Sequence, residues 1–407
     1  MKYVVVLGDG MADEPIESLG MKTPLEYADT PTLDMLSKVS EVGLCHTIPE
    51  GMKPGSDTAN LAVLGYDPKK YYSGRSPLEA LSIGVPMKDS DIALRMNIVS
   101  ITDDESKTFE EQTIVDHSSS EISTEDCAVL VEALKKELTT DEFSFYVGTS
   151  YRHCCIWNKG RVIDLVQPHD VLGTTIGQHL PKEEAFLNMM KKSYEILKDH
   201  PLNIERKKQG LNPANCAWFW GAGTKPMLSS FEEKTGHKGM MVSAVDLLKG
   251  IGVGASMGVA LVEGANGGLH TNYAGKVEAA LDALENGYDF AYIHVEAPDE
   301  MGHQGSVERK IQAIEFLDNL VIKPVYEKLK EKNEDFRLLV MPDHPTPIRC
   351  RTHTADPVPY LIYDSTSLQN NTWNYNEKDA KAGGIYEPVG HHLMDHFLEN
   401  KCVIDQN

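Results

Sequence analysis

Five places far apart in the chain carry residue types that can hold a divalent cation or attack an electrophile. Asp9 lies in Leu7-Gly8-Asp9-Gly10, and Ser56 in Pro54-Gly55-Ser56-Asp57-Thr58-Ala59-Asn60. Asp299 and His303 lie in Ala297-Pro298-Asp299-Glu300-Met301-Gly302-His303, Asp343 and His344 in Met341-Pro342-Asp343-His344-Pro345, and His353 in Arg351-Thr352-His353-Thr354. Carboxylate oxygen together with imidazole nitrogen suits Mn, Zn or Fe better than Ca. Asp299 and His303 are four residues apart, so one helical turn could aim both at one ion. Adjacent Asp343 and His344 would point apart on a regular strand; on a strand-end loop they could reach one ion or bridge two. A serine alone is a poor nucleophile near neutral pH, and a cation at its Oγ makes the proton far easier to lose. Gly55 permits a tight turn before Ser56, and Asp57-Thr58-Ala59-Asn60 reads as a first helical turn whose free N–H groups favour a phosphate. Taken singly, a Gly-Asp-Gly is a turn, a Gly-Ser-Asp-Thr a helix cap, and an Asp-His-Pro a loop. Taken together, they point to a metal-assisted serine beside a helix start that favours phosphate.

The elements that must position these residues alternate between short apolar runs and helical patterns. The pattern predicts strands at Tyr3–Leu7, Gly43–Ile48, Ser144–Val147, Cys155–Trp157, Ala217–Trp220, Gly239–Val242, Gly258–Leu261, Phe290–His294, Arg337–Met341 and Pro359–Ile362. It predicts helices at Pro31–Lys38, Thr124–Leu138, Glu183–Lys198, Val242–Ile251, Tyr273–Glu285 and Ser306–Lys332, with Thr124 as a cap and Pro324 kinking or breaking the last one. Such alternation implies an α/β fold with a largely parallel sheet, in which functional residues gather at the carboxyl ends of strands. Asp9, Asp299 and the pair Asp343–His344 each follow a predicted strand.

The chain has 407 residues, enough for two or three domains, with 41% hydrophobic and 25% charged residues. Boundaries are expected near residues 85 and 210. A net charge of −22 argues against a general binder of nucleic acid or anionic membrane, and obliges any anionic substrate to find positive charge within the site. The apolar run at the N-terminus is short and soon followed by Asp13 and Glu14, so it reads as a strand rather than a signal peptide. No stretch approaches the ~18 apolar residues of a membrane span. Seven irregularly spaced cysteines fit reduced thiols in a cytoplasm.

The quoted motifs, with Gly74-Arg75-Ser76-Pro77-Leu78-Glu79-Ala80 and Ser243-Ala244-Val245-Asp246-Leu247, resemble those of the archaeal-type cofactor-independent phosphoglycerate mutases of the alkaline-phosphatase superfamily. The resemblance covers nearly the whole chain. It implies an alkaline-phosphatase-like core with a mostly parallel sheet and helices on both faces, formed by 1–85 and 211–407, and a smaller inserted α/β cap, 86–210, that binds substrate and closes over it. It implies two divalent ions and no organic cofactor. One ion would be held by Asp299, His303 and His353, the other by Asp9, Ser56, Asp343 and His344. Manganese fits best, with zinc or magnesium as alternatives. Ser56 would become phosphoserine and return the phosphoryl group to the neighbouring hydroxyl of the same glycerate.

One segment departs from that family. Where it usually reads Asp-Arg-Arg-Ala-Gly-Arg, this chain reads Asp116-His117-Ser118-Ser119-Ser120-Glu121, and Trp220 stands before Gly221-Ala222-Gly223 where an arginine is expected. The pattern resembles a related subgroup proposed to be homoserine kinases, so a homoserine kinase-like phosphotransferase, or a phosphatase of the same superfamily, is the alternative expectation. Arg95, Asn97, Asp116, His117, Arg152 and His153 remain as expected contacts to a small phosphorylated or hydroxylated metabolite, with Arg152 the best anion clamp because a guanidinium can bind two oxygens at once.

Overall fold

The computed structural model describes residues 1–399; Cys402 and the rest of 400–407, which the sequence assigned to the core, lie outside the described residues. The strands are β1 (Lys2–Gly8), β2 (Glu41–Cys45), β3 (Ile92–Ile101), β4 (Ile114–Asp116), β5 (Phe143–Thr149), β6 (Arg152–Trp157), β7 (Cys216–Thr224), β8 (Gly239–Val242), β9 (Gly258–Ala260), β10 (Phe290–Val295), β11 (Phe336–Met341), β12 (Val358–Asp364) and β13 (Tyr386–Glu387). They divide between two compact units, Met1–Tyr72 with Met227–Asn407, and Ser73–Pro226.

The first unit holds one sheet in the order β13-β2-β12-β11-β1-β10-β8-β9. β11, β1, β10, β8 and β9 run parallel, while β12 is antiparallel to both β11 and β2. Parallel strands covered on both faces need unbroken apolar runs, and Val4, Val5, Val6 and Leu7 of β1 are all buried. The helix Tyr273–Glu285 closes over β10 and β8, burying Val277, Ala280, Leu281 and Leu284. The strand ends that carry chemistry are neighbours: β11 delivers Asp343 and His344, β1 delivers Asp9, and β10 leads into the helix Ala297–His303 that carries Asp299 and His303.

The second unit has a five-stranded sheet, β4-β3-β6-β5 with β7 on the other side of β3, and every pairing in it is antiparallel. The helices Thr124–Leu138 and Glu184–Leu197 pack Leu130, Val131, Leu134, Phe186 and Met190 into its core.

The structure corrects several sequence expectations. The unit boundaries fall at 72/73 and 226/227 rather than near 85 and 210, because the helix Arg75–Ser82 packs on β3 and β7 and β7 completes the second sheet. The longest strand, β3, was not foreseen. The helix expected from Val242 begins at Asp246, because the strand end and Ser243 occupy the intervening turn. Ser123, not Thr124, caps its helix by accepting from Asp126 N. The expected 306–332 helix is three pieces: Val307–Leu317, a π-helical turn Asp318–Ile322, and Lys323–Glu331. Pro324 sits in the first turn of the last piece, where a missing N–H costs little, and the π-turn absorbs the break upstream.

Candidate metal centre

At the strand ends of the first unit, two groups of ligand atoms converge. Asp9, Asp343 and His344 form one, and Asp299, His344 and His353 the other; within each, the donor atoms all lie within 4.8 Å of one another. His344 belongs to both. His303 joins the second group, with Nε2 3.2 Å from Asp299 Oδ2 and 3.0 Å from His353 Nε2. Asp9, Asp299, Asp343 and His344 are buried, while Ser56, His303 and His353 are partly open.

Ser56 is the first residue of the helix Ser56–Val63, and its Oγ lies 3.1 Å from His344 Nε2. Asn60, one helical turn on, donates to Ser56 O at 2.8 Å and to Asp343 Oδ2 at 2.8 Å, and Tyr292 OH donates to Asn60 Oδ1 at 2.6 Å. Asp343 Oδ1 also accepts from Gly10 N and His344 N. Gly10 sits at φ +61°, and a Cβ there would strike Thr346 Oγ1 and Asp299 Oδ1, so this turn admits only glycine. Behind Asp9, His294 Nε2 lies 2.9 Å from Oδ2, and the other ring nitrogen is 3.1 Å from Ser243 Oγ.

The electrostatics show where positive charge is missing. Asp9 Oδ1 is buried without a hydrogen-bond partner. Burial, then the charges of Asp343, Asp299 and Glu296, push the Asp9 carboxyl well above its ordinary range. Asp299 moves the other way: burial opposes it, but hydrogen bonds from His303 and His353 outweigh burial and hold it well below. His303 is raised to about 9, chiefly by its bond to Asp299, and its Nδ1 lies 2.9 Å from Arg351 O, which leaves Nε2 aimed inward. Burial, reinforced by Lys276, keeps His294 neutral, with its pKa lowered to about 3. Two imidazole nitrogens 3.0 Å apart, an orphaned carboxylate oxygen and three converging acids form a donor set that divalent cations fit.

The second unit holds the remaining sequence candidates. Arg95 donates from Nε to Glu79 Oε2 at 2.7 Å and lies 4.5 Å from the Trp220 ring centroid. Asn97, two residues on, accepts from Trp220 Nε1 at 3.1 Å and reaches His117 O. Asn97 pairs with Arg152 across β3 and β6, so Arg95, Asn97 and Arg152 share one face. Arg152 is exposed, 5.3 Å from the Tyr151 ring centroid, and makes no ion pair among the described residues. His117 stands beside Tyr151 and His169, and its Nδ1 is buried without a partner.

Two candidates are committed elsewhere. His153 alternates to the opposite face from Arg152, is buried, accepts from Gly148 N and meets Cys127 Sγ at 3.0 Å, so it serves the core. Asp116 accepts from Ser118 N, Ser118 Oγ, Ser120 N and Asn212 Nδ2; burial opposes ionisation, but these bonds bring its pKa down to about 2. It pins a turn in which Ser119, Ser120 and Glu121 all have positive φ.

Comparison with known proteins identifies the family. Residues 37–203 match the family model described as 2,3-bisphosphoglycerate-independent phosphoglycerate mutase. A Geobacter sulfurreducens protein described as a probable enzyme of that name is 45% identical over 98% of this chain and 100% of its own. The enzyme so named from Methanosarcina barkeri is also 45% identical, over 95% of this chain and 96% of its own. The chain belongs to this phosphoglycerate mutase family. Among solved structures, a cofactor-independent phosphoglycerate mutase from Thermoplasma acidophilum is 26% identical with a TM-score of 0.65, covering 98% of this chain and 99% of its own. A protein of Pyrococcus horikoshii is 28% identical with a TM-score of 0.80, covering 98% of both chains.

Sequence reasoning named the strand-end residues but missed their supports. Asn60 was within reach of it, one turn beyond Ser56 on the same helix face. His294 and Ser243 end adjacent parallel strands, so the rule that found Asp9 also covers them. Tyr292, Lys276 and Thr346 gave no local signal; only the fold brings them in.

Proposed function

We infer that this chain interconverts 2- and 3-phosphoglycerate through a phosphoserine at Ser56, without a bisphosphoglycerate cofactor. The observation that carries the reading is Ser56 Oγ at a helix N-terminus, 3.1 Å from the one imidazole shared by both groups of candidate ligands. Asp299, His303 and His353 would hold one divalent ion, and Asp9, Ser56, Asp343 and His344 a second, with manganese the best match to the donors. When bound, the ions supply the positive charge that eases ionisation of the serine and screens the phosphate.

The chain's own residues do the rest. Ser56 Oγ attacks phosphorus, the bond from phosphorus to the glycerate oxygen breaks, and the serine proton ends on that oxygen. The vicinal hydroxyl of the same glycerate then attacks the phosphoserine, and the serine regains its proton. Asn60 anchors the Ser56 carbonyl and the Asp343 carboxylate together, which keeps nucleophile and acid in register. The helix N-terminus favours the transferred anion. Arg152, Arg95, Asn97 and His117 would contact the substrate, with Arg152 taking its carboxylate or phosphate. Asp116 would act through the turn that carries His117 rather than by touching substrate. Six free cysteines among the described residues suit a reducing cytoplasm.

The test is direct. Manganese-loaded protein should convert 3-phosphoglycerate to 2-phosphoglycerate, and the activity should vanish with a chelator and with Ser56→Ala, which should also abolish acid-stable labelling from phosphorylated substrate. Homoserine with ATP should yield no phosphohomoserine. Free phosphate outpacing isomerisation, or turnover only with homoserine and ATP, would overturn the assignment.

A further inference from the structure

Thr346 sits between Pro345 and Pro347, fully buried, and belongs to none of the expected ligand sets. Its hydroxyl donates to Asp299 Oδ1 at 2.5 Å and lies 3.3 Å from His344 Nδ1. It therefore touches one acid of the second ligand group and the imidazole shared by both.

Its backbone is held as tightly as its side chain. Thr346 N donates to Ala12 O at 3.2 Å, in the loop that follows Asp9. Thr346 O accepts from Lys310 Nζ at 2.9 Å, and the same ammonium donates to Ala12 O at 3.2 Å and Asp13 Oδ2 at 2.8 Å. Lys310 is completely buried and all three of its donors are spent on this clamp. Asp13 returns the contact by accepting from Ile348 N. The flanking prolines remove two N–H groups and fix two φ angles, so the hydroxyl has little freedom to turn away.

The chemistry follows from donor and acceptor counting. A hydroxyl has one proton and two lone pairs. The Thr346 proton goes to the Asp299 carboxylate, so towards His344 the oxygen can only accept. His344 Nδ1 must then carry the hydrogen, which it also shares with Pro345 O at 3.3 Å. The Nε2 lone pair is thereby left facing Ser56 Oγ at 3.1 Å, Asp343 Oδ2 at 3.4 Å and Asp9 Oδ1 at 3.5 Å. The opposite tautomer would point a hydrogen into the centre and leave Nδ1 without a donor.

We propose that Thr346, clamped by Lys310, is the positioning residue that fixes the His344 tautomer and the Asp299 rotamer, and so sets the metal affinity of both ligand groups. The proposal rests on the metal-dependent reading above. Partners that orient ligating groups in this way are worth roughly 10–100-fold in metal affinity.

The test titrates manganese alone into metal-stripped full-length protein by calorimetry. Thr346→Val keeps the shape and removes the hydroxyl; Thr346→Ser keeps the hydroxyl and removes the methyl. The valine variant should bind roughly 10–100-fold more weakly than the parent, and the serine variant within about threefold of it, while the metal-free far-UV spectra coincide. Parental affinity in the valine variant, or an equal loss in both, overturns the proposal. A second readout needs no variant to fold: long-range ¹H–¹⁵N spectra of the metal-free parent should show His344 protonated at Nδ1, and an Nε2–H form overturns the proposal. If the parent itself takes up no manganese, the metal-dependent reading fails; if it binds and the valine variant matches it, only the role of Thr346 fails.

Discussion

Replacing Asn60 by leucine removes a hub at nearly constant shape. Three bonds end there: Nδ2 to Asp343 Oδ2, Nδ2 to Ser56 O, and Tyr292 OH to Oδ1, with Asn60 and Tyr292 both fully buried. The bond to the carboxylate is worth roughly 1.5–3 kcal/mol and the neutral one about 1, while the orphaned tyrosine hydroxyl costs roughly 1–3 more. A loss of roughly 3.5–7 kcal/mol is therefore expected for Asn60→Leu, above the usual range for a point change. Tyr292→Phe alone should cost about 1–3 kcal/mol, because it orphans Asn60 Oδ1. In the double variant neither group is left waiting, so Asn60→Leu with Tyr292→Phe should recover roughly 1–3 kcal/mol relative to Asn60→Leu. The assay is urea unfolding of metal-stripped protein near neutral pH, followed by far-UV circular dichroism across all four chains of the cycle. A double variant less stable than Asn60→Leu, or a single-variant loss under about 1 kcal/mol, refutes the hub.

Two other predictions concern the second unit. Burial lowers the His153 pKa to about 4, against an ordinary value of about 6.5, so its stabilising contribution is complete above pH 6.5 and lost as pH falls through 4. That shift is worth about 3 kcal/mol over the window; His153→Phe should start less stable but lose correspondingly less between neutral pH and pH 4, and equal slopes in urea midpoints would refute the assignment. Glu121 is exposed with φ at 50°, so Glu121→Gly should relieve left-handed strain and stabilise the chain by roughly 0.5–1 kcal/mol, visible as a raised thermal midpoint; a lowered midpoint would refute it.

What could be read from sequence divides along physical lines. The Val4-Val5-Val6-Leu7 run announces a buried parallel strand by composition alone, and the strand-end rule then makes Asp9, Asp299 and Asp343 conspicuous. β3 escaped because its buried apolar positions are interrupted by Arg95 and Asn97, whose side chains find their partners, Glu79, Trp220 and His117 O, elsewhere in the fold. His153 was misread for the complementary reason: adjacency to Arg152 looks like proximity in sequence, yet the pleat sends the two to opposite faces. Asp116 was expected to touch substrate, but Ser118, Ser120 and Asn212 occupy its carboxylate, beside a left-handed path at Ser119–Glu121 that no propensity favours. The supports of the centre were the least legible. Lys310 lies on a helix 33 residues before Asp343 and looks in sequence like a solvated charge, while the fold buries it completely.

The supports are also unevenly spent, and this is where fold and function meet. Asp343 receives Gly10 N, His344 N and Asn60 Nδ2, so its charge is answered by the protein itself. Asp299 receives Thr346 and faces two imidazoles. Asp9 receives only His294, and its second oxygen receives nothing. An unpaired buried carboxylate is costly, and a neutral side chain in its place would remove that cost. A fold stabilised for its own sake would have no reason to bury that oxygen bare. The deficit falls beside Ser56 and His344, at the ends of three adjacent parallel strands, where an added cation would gain most and an incoming phosphate would be drawn in its wake. In a chain of net charge −22, attraction for an anion cannot come from the overall charge. It has to be assembled locally, and under the metal-dependent reading the protein would hold the ligands in place before the ion arrives.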